Sequence, residues 1–350
     1  MPRDFGQLPS APLPGWTSLL DRIKRRVNFE LYRRFSQRHT LAPYYPFVKL
    51  TLDPGNVCNL RCPLCPTGVR DPGRPPGLMH MDTFRRAIDQ VGMHVGLLEL
   101  FNWGEPLVHP RILDMIDYAG KKTKARIVVS TNLTVLSDKL ADGLVRSSLD
   151  TLLISCDGAS EETYAKYRVG GHFSTVMANM QRLVAKRREA GRTERPHFIW
   201  RFIVFRHNQH EVPLVEPMAR EIGVETEIVR MRTDMAKEIT ESVRASIERD
   251  QEWIPTESTY SAYDLDRKRR KQPTVCWRPW TETAINWDGS VSPCCAVWNK
   301  DEDYGNINQQ SFIQIWNNEQ YVAARQAILG RKDAPETICS TCKRNGYMHF

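Results

Sequence analysis

Asp53-Pro54-Gly55-Asn56-Val57-Cys58-Asn59-Leu60-Arg61-Cys62-Pro63-Leu64-Cys65 follows a short apolar run at 47–52 and places three cysteines in the spacing CxxxCxxC. Three thiolates on one short loop ligate three irons of a [4Fe–4S] cube and leave the fourth iron without a protein ligand. That open iron is available to an exogenous amine and carboxylate. A structural zinc site uses four protein ligands and is closed. No histidine lies within this loop to act as a fourth ligand.

Working outward, the chain alternates strand-like and helical patterns six times. Short apolar or β-branched runs at 47–52, 97–101, 125–130, 151–155, 197–205 and 225–229 read as strands. Helical periodicity at 81–91, 112–121, 139–147, 173–190 and 212–222 separates them. Strands alternating with helices predict parallel βαβ units with right-handed crossovers. The expected fold is α/β, an open, partial (βα)6 barrel of TIM type over residues 47–231. In such a barrel the chemistry sits at the C-terminal ends of the strands, and the polar sequence motifs fall at those ends.

Three further segments are expected. Residues 1–46 hold a Pro- and Gly-rich tail and a basic amphipathic helix over 16–38, which more often packs on its own domain than on a membrane surface. Residues 232–275 form a charged connector, with a helix over 235–253 and a basic run, Asp266-Arg267-Lys268-Arg269-Arg270-Lys271, read as a solvated helix face. Residues 276–350 carry five cysteines and a hairpin, 281–287 and 291–297, around the turn Asp288-Gly289.

Composition narrows the setting. Hydrophobic residues at 41% supply a sizeable core, and no run is long enough to span a bilayer. The basic N-terminus lacks an apolar stretch leading to a cleavage site, so no signal peptide is expected and the protein is placed in the cytoplasm. Nine cysteines, an odd number with CxxC spacing, suit metal ligation in a reducing compartment better than a disulfide framework. The net charge of +8 is compatible with an anionic substrate or simply with a basic surface. Nucleic acid is not expected as a partner.

CxxxCxxC after the first strand of a partial barrel resembles the radical S-adenosylmethionine superfamily, with Leu64 where an aromatic residue usually precedes the third cysteine. The resemblance implies that Cys58, Cys62 and Cys65 hold a [4Fe–4S] cluster that passes an electron to S-adenosylmethionine, whose 5′-deoxyadenosyl radical then abstracts a substrate hydrogen. Asn102-Trp103-Gly104-Glu105-Pro106 resembles the family's Gly-Gly-Glu-Pro motif, with Trp103 for the first glycine. It implies that Trp103, Gly104, Glu105 and Pro106 cradle the methionine ammonium, which needs converging acceptors. Ser130 and Asn132 on strand three, and Ser155 and Asp157 on strand four, resemble positions that contact its ribose or carboxylate. Arg201 on strand five is a candidate partner of that carboxylate. Glu105 as a helix N-terminal carboxylate and Asp157 as a turn residue are the plain alternatives. Cys156, facing the other side of its strand, reads as a packed core thiol.

Cys276, Gly289 followed after four residues by Cys294, and Cys339-Ser340-Thr341-Cys342 resemble the SPASM extension in its shortened twitch form. The resemblance extends to an aminocyclitol dehydrogenase and to anaerobic sulfatase-maturating enzymes. It implies a second, auxiliary [4Fe–4S] cluster, fully ligated by Cys276, Cys294, Cys339 and Cys342; the spacing alone also permits a four-cysteine zinc site. A flavodoxin- or ferredoxin-type electron donor is implied as partner. Three reactions fit. The first is oxidation of a small molecule or sugar, with the auxiliary cluster accepting an electron and Arg230 or Arg232 assisting deprotonation, although arginine is a poor base. The second is modification of a ribosomally made peptide, for which 46 residues before strand one are few to build a leader-binding domain. The third is epimerisation, with Cys295 returning a hydrogen atom; Cys295 as a buried small hydrophobe is the plain reading. An electron carrier or zinc scaffold without catalysis is the non-enzymatic alternative.

Overall fold

A computed structural model describes residues 49–233, 240–271 and 276–347. The predicted amphipathic helix of the N-terminal segment lies outside them. Strands β1 (Lys49–Leu52), β2 (Leu97–Glu99), β3 (Arg126–Thr131), β4 (Thr151–Ser155), β5 (His197–Val204) and β6 (Glu225–Arg230) pair in chain order, all parallel. Helices Met81–Val91, Ile112–Lys122, Asp138–Arg146, Phe173–Glu189 and Val212–Ile222 make the crossovers. Their starts are set locally. Ser137 Oγ, for example, accepts the Leu140 N–H at 3.2 Å, a cap contributing about 1 kcal/mol.

The two faces of the sheet differ as the alternation demands. Leu50, Leu52, Leu98, Leu100, Val129 and Ile154 point to the helices and are buried against residues such as Phe84, Ile116 and Leu144. The opposite, luminal face carries Lys49, Thr51, Glu99, Ser130, Ser155, Arg201 and Glu227, joined to one another by hydrogen bonds and ion pairs. Period-two burial along β5 shows the same division.

The C-terminal hairpin, β9 (Glu282–Ile285) and β10 (Val291–Ser292), extends this sheet and does not form one of its own. β9 runs parallel to β1, Lys49 opposite Glu282, giving eight strands in the order β10-β9-β1-β2-β3-β4-β5-β6. Gly289 takes φ +84° in the turn, a conformation that favours glycine. β10 is shorter than predicted because Pro293 has no N–H to donate. A seam joins the hairpin region to the loop after Cys65. Arg74, fully buried, makes two 2.8 Å bonds to Asp303 and donates to Ser290 Oγ and the Trp298 carbonyl. Trp298 donates to Asp71 and meets Trp103 edge-on at 5.3 Å.

Two expectations for the connector are corrected. The described helix there is Val243–Arg249, started by Ser242, whose extended backbone and capping Oγ stop it from continuing towards residue 235. The basic run is not a helix face. Arg269–Arg270 (β8) pairs with Tyr263–Asp264 (β7), Lys268 sits at the turn with φ +47°, and Asp264 and Glu248 neutralise the cations. A helix at Glu161–Tyr167 was not anticipated. Among the described residues no helix is long and apolar enough to cross a membrane.

Candidate functional site

At the C-terminal end of β1 the chain turns and coils tightly through the first cysteine group. The Cys65 N–H donates to the Cys62 carbonyl at 3.1 Å. A Cβ on Gly68 would lie 2.4 Å from that carbonyl oxygen, so only glycine fits. Asn56 holds the base of the loop, donating to the Pro75 carbonyl and accepting the Gly77 N–H at 2.8 Å. The Cys58 sulfur accepts the Leu60 N–H at 3.4 Å and faces the Asn132 amide at 3.7 Å. Burial pushes the Cys58 and Cys62 thiols up to about 11 and raises Cys65 too; neighbouring thiols add to each rise. N–H groups of Leu60, Thr67 and Gly68 and the Arg168 guanidinium act in the opposite sense. Three thiols on one loop, with N–H donors and a guanidinium beside the sulfurs, suit an iron cluster that takes them as thiolates.

The strand ends close around this loop. A Cβ on Gly104 would meet the Gly55 carbonyl at 2.0 Å, and the Glu105 N–H donates to the Val57 carbonyl at 2.9 Å. The buried Glu105 carboxylate caps Pro106–Val108 through the Leu107 N–H and also accepts Thr131 Oγ1 and the Asn132 N–H. It therefore pins the end of β2 to β3 with three of about four acceptor positions. Burial raises its pKa, and those three bonds work against the rise. Asn132 donates to Asn59 at 3.0 Å, and Asn59 donates to Thr134. Ser130 and Ser155 face each other at 3.3 Å on the luminal side, and Arg201 pairs there with Glu227 at 2.7 Å.

Asp157 is placed differently from a cofactor contact. It is fully buried, salt-bridged to Arg168 at 2.5 Å, and accepts the Ile203 N–H at 2.7 Å. Burial raises its pKa while Arg168 opposes. Arg168, absent from the sequence reading, thus links Asp157 to the Cys62 sulfur; the Gly170-Gly171 pair after it, Gly170 at φ +93°, was the available signal. Arg230 lies on the opposite sheet face from Glu227, exposed, and donates to the Thr259 carbonyl at 3.1 Å; it is not brought to the site. Cys156 is fully buried in the core.

The second group lies beside the start of β9. Cys276, Cys294, Cys339 and Cys342 line one cavity with Pro279, Pro293, Val297, Ile328 and Ile338. Cys339 and Cys342 share a helix face at i,i+3, on a helix begun by a Thr337–Ser340 capping box. Burial pushes Cys294 up to about 12 and Cys339 well above the usual thiol range. Tyr304 OH donates to the Cys339 sulfur at 3.6 Å. Among the described residues no three His, Cys, Asp or Glu side chains converge as the ligands of one metal ion would. Four cysteine sulfurs round an apolar cavity are a complete ligand set for a four-iron cube. Cys295 does not line the cavity, but its sulfur accepts Nη1 of the cavity residue Arg278 at 3.1 Å. Its carbonyl lies 3.1 Å from the Asn102 amide, itself 2.8 Å from Trp103 Nε1.

Residues 52–195 match the Radical SAM superfamily, and residues 276–343 match SPASM, an iron–sulfur cluster-binding domain. The chain belongs to the radical S-adenosylmethionine superfamily, in its SPASM subgroup. Its cofactors are S-adenosylmethionine and [4Fe–4S] clusters, one in the barrel and an auxiliary one in the C-terminal domain. It is 26% identical over 295 residues, 78% of this chain and 81% of the relative, to the tungsten-containing aldehyde ferredoxin oxidoreductase cofactor-modifying protein of Pyrococcus furiosus. Identity is 23% over 90% of this chain and 70% of the relative to the antilisterial bacteriocin subtilosin biosynthesis protein AlbA of Bacillus subtilis. Streptococcus suis SuiB bound to S-adenosylmethionine superposes with a TM-score of 0.58 at 12% identity, over 96% of this chain and 78% of that one. That likeness concerns the fold.

Proposed function

We propose that this radical S-adenosylmethionine enzyme is a dehydrogenase of a polar small molecule or sugar, with the auxiliary cluster as electron acceptor. The observation that carries the reading is the second cavity, lined by four cysteines of the chain. All four of its cysteines belong to the chain and its other walls are almost entirely apolar, so it has no position for a substrate and its job is electronic. S-adenosylmethionine bound at the first cluster supplies the radical that removes a substrate hydrogen. Cys58, Cys62 and Cys65 hold that cluster. Trp103, Gly104, Glu105 and Pro106 frame the methionine end; the Ser130–Ser155 pair, Asn132 and Arg201 offer hydroxyl, amide and guanidinium groups to ribose and carboxylate. Asp157 holds Arg168 beside Cys62. A luminal face rich in hydroxyls and paired charges supports a polar substrate. A flavodoxin- or ferredoxin-type protein would deliver the first electron.

Peptide modification is the second reading, favoured by the match to AlbA over nine-tenths of the chain. The test is anaerobic reconstitution, iron and sulfide quantification, and assay of 5′-deoxyadenosine with dithionite. About eight irons with cleavage of S-adenosylmethionine are expected. Four irons with cleavage intact would defeat oxidation through the second cluster. With substrate found, a two-electron-oxidised product supports dehydrogenation, and an isomer would support epimerisation through Cys295.

A further inference from the structure

Arg278 stands where the auxiliary cavity meets the barrel lumen. It is 8% exposed, lines the cavity of the four cysteines, and donates through Nη1 to the Cys295 sulfur. Its Nε lies 2.9 Å from Glu282 Oε1, an ion pair without the alignment of a hydrogen bond. Glu282 is paired with Lys49 at 2.7 Å, Lys49 with Glu99 at 3.3 Å, and Glu99 accepts the Thr51 hydroxyl at 2.9 Å. A continuous string of alternating charges therefore runs from the cavity wall along the luminal face of β9, β1 and β2. A guanidinium is not deprotonated in proteins, so Arg278 keeps its charge beside Glu282. It is a fixed cation beside the auxiliary centre.

We propose that Arg278, balanced by Glu282, sets the reduction potential of the auxiliary cluster, making Arg278 a positioning residue for electron acceptance and Glu282 its counterweight. The reasoning is electrostatic. Reduction adds one negative charge to the cluster, and an adjacent buried cation stabilises that charge, raising the potential. A carboxylate next to that cation cancels part of the effect. In this string a change at the luminal carboxylates reaches the cluster as a change in field, so a cationic substrate group that pairs with Glu282 offsets the counterweight to Arg278 and makes the cluster a better acceptor as the substrate arrives. The inference rests on the two-cluster reading for its purpose, while the potential itself is measurable without any substrate.

The experiment is an anaerobic redox titration of the auxiliary cluster, followed by electron paramagnetic resonance on the reconstituted full chain, in which Cys58, Cys62 and Cys65 are intact. Arg278→Gln should lower the potential, changing the reduced-to-oxidised ratio at fixed poise about tenfold, or about 59 mV for one electron. Glu282→Gln should move it the opposite way, and Arg278→Lys should keep most of the wild-type value. Opposite signs at the two positions are the signature that loss of structure would not produce. If Arg278→Gln does not retain its cluster, Glu282→Gln and Arg278→Lys decide: an unmoved or lowered potential in Glu282→Gln overturns the proposal. Equal shifts of one sign in the Arg278 and Glu282 variants overturn it as well. Failure of the dehydrogenase reading would show instead as absence of oxidised product with these shifts present.

Discussion

Around Cys58, Cys62 and Cys65 the sulfurs meet main-chain N–H groups, the Asn132 amide and the Arg168 guanidinium, on a loop that supplies only three thiols. Around Cys276, Cys294, Cys339 and Cys342 the walls are prolines and branched aliphatics, with Arg278 the charged neighbour lining the cavity. One ligand chemistry thus serves two ends. The missing fourth ligand and the polar strand ends let the first site receive a cofactor with amine, carboxylate and hydroxyl groups. The complete ligand set and dry surroundings of the second suit the electron-accepting role proposed for it. What separates the sites is the number of thiols and the dielectric around them, since both are made of cysteines alone.

The sharpest way to break this contrast is to remove the ligands. Cys58→Ala, Cys62→Ala and Cys65→Ala together should remove one cluster by iron analysis and take 5′-deoxyadenosine formation to background; residual cleavage would overturn the assignment. Cys339→Ala should remove the other cluster, leave 5′-deoxyadenosine formation and abolish substrate turnover, so the two losses separate the sites. Next comes the Arg168–Asp157 pair. Arg168→Met leaves a buried carboxylate uncompensated and should cost about 3–5 kcal/mol in denaturant unfolding. Adding Asp157→Asn should restore part of it; no recovery would mean that Arg168 acts mainly through Cys62.

The smallest expected effect concerns Asp53 at the entry to the first loop, where burial pushes the carboxyl up to about 7 despite the N–H groups of Gly55 and Trp103 and the charge of Arg74. Between the ordinary aspartate value and 7, the folded chain keeps a proton that the unfolded chain releases, so this group's contribution to stability falls as pH rises through that window. Asp53→Asn should therefore gain melting temperature relative to wild type at pH 8 and not at pH 4. Equal gains at both would place the effect in packing.

Much of this was legible in the residues. Strand alternation around the helices gave the parallel sheet, and CxxxCxxC with the ordered strand-end motifs named the superfamily, because each depends on local spacing. Arg168, Glu227 and Glu282 were not legible. Arg168 and Glu227 have partners 11 and 26 residues away, and Glu282, besides Arg278 on its own turn, pairs with Lys49, 233 residues away; no local pattern marks a charge that is buried by tertiary packing. Arg230 was misplaced for the opposite reason, since a one-residue change of register along β6 turns a side chain from the lumen to the exterior. The run 266–271 looked helical by charge alone, yet a left-handed Lys268 and pairing with β7 made it a turn.

The parallel pairing of β9 with β1 bears on how the molecule is made. β1 is synthesised well before its second neighbour, Glu282–Ile285. Until then β1 is a sheet edge with unpaired backbone groups, directly upstream of the three-cysteine loop. Contacts that join distant parts of a chain form late. The seam of Arg74 with Asp303 and Trp103 with Trp298 then closes over the segment just after Cys65. Covering of the segment beside the barrel's first cysteine loop therefore waits on residues from the far end of the fold.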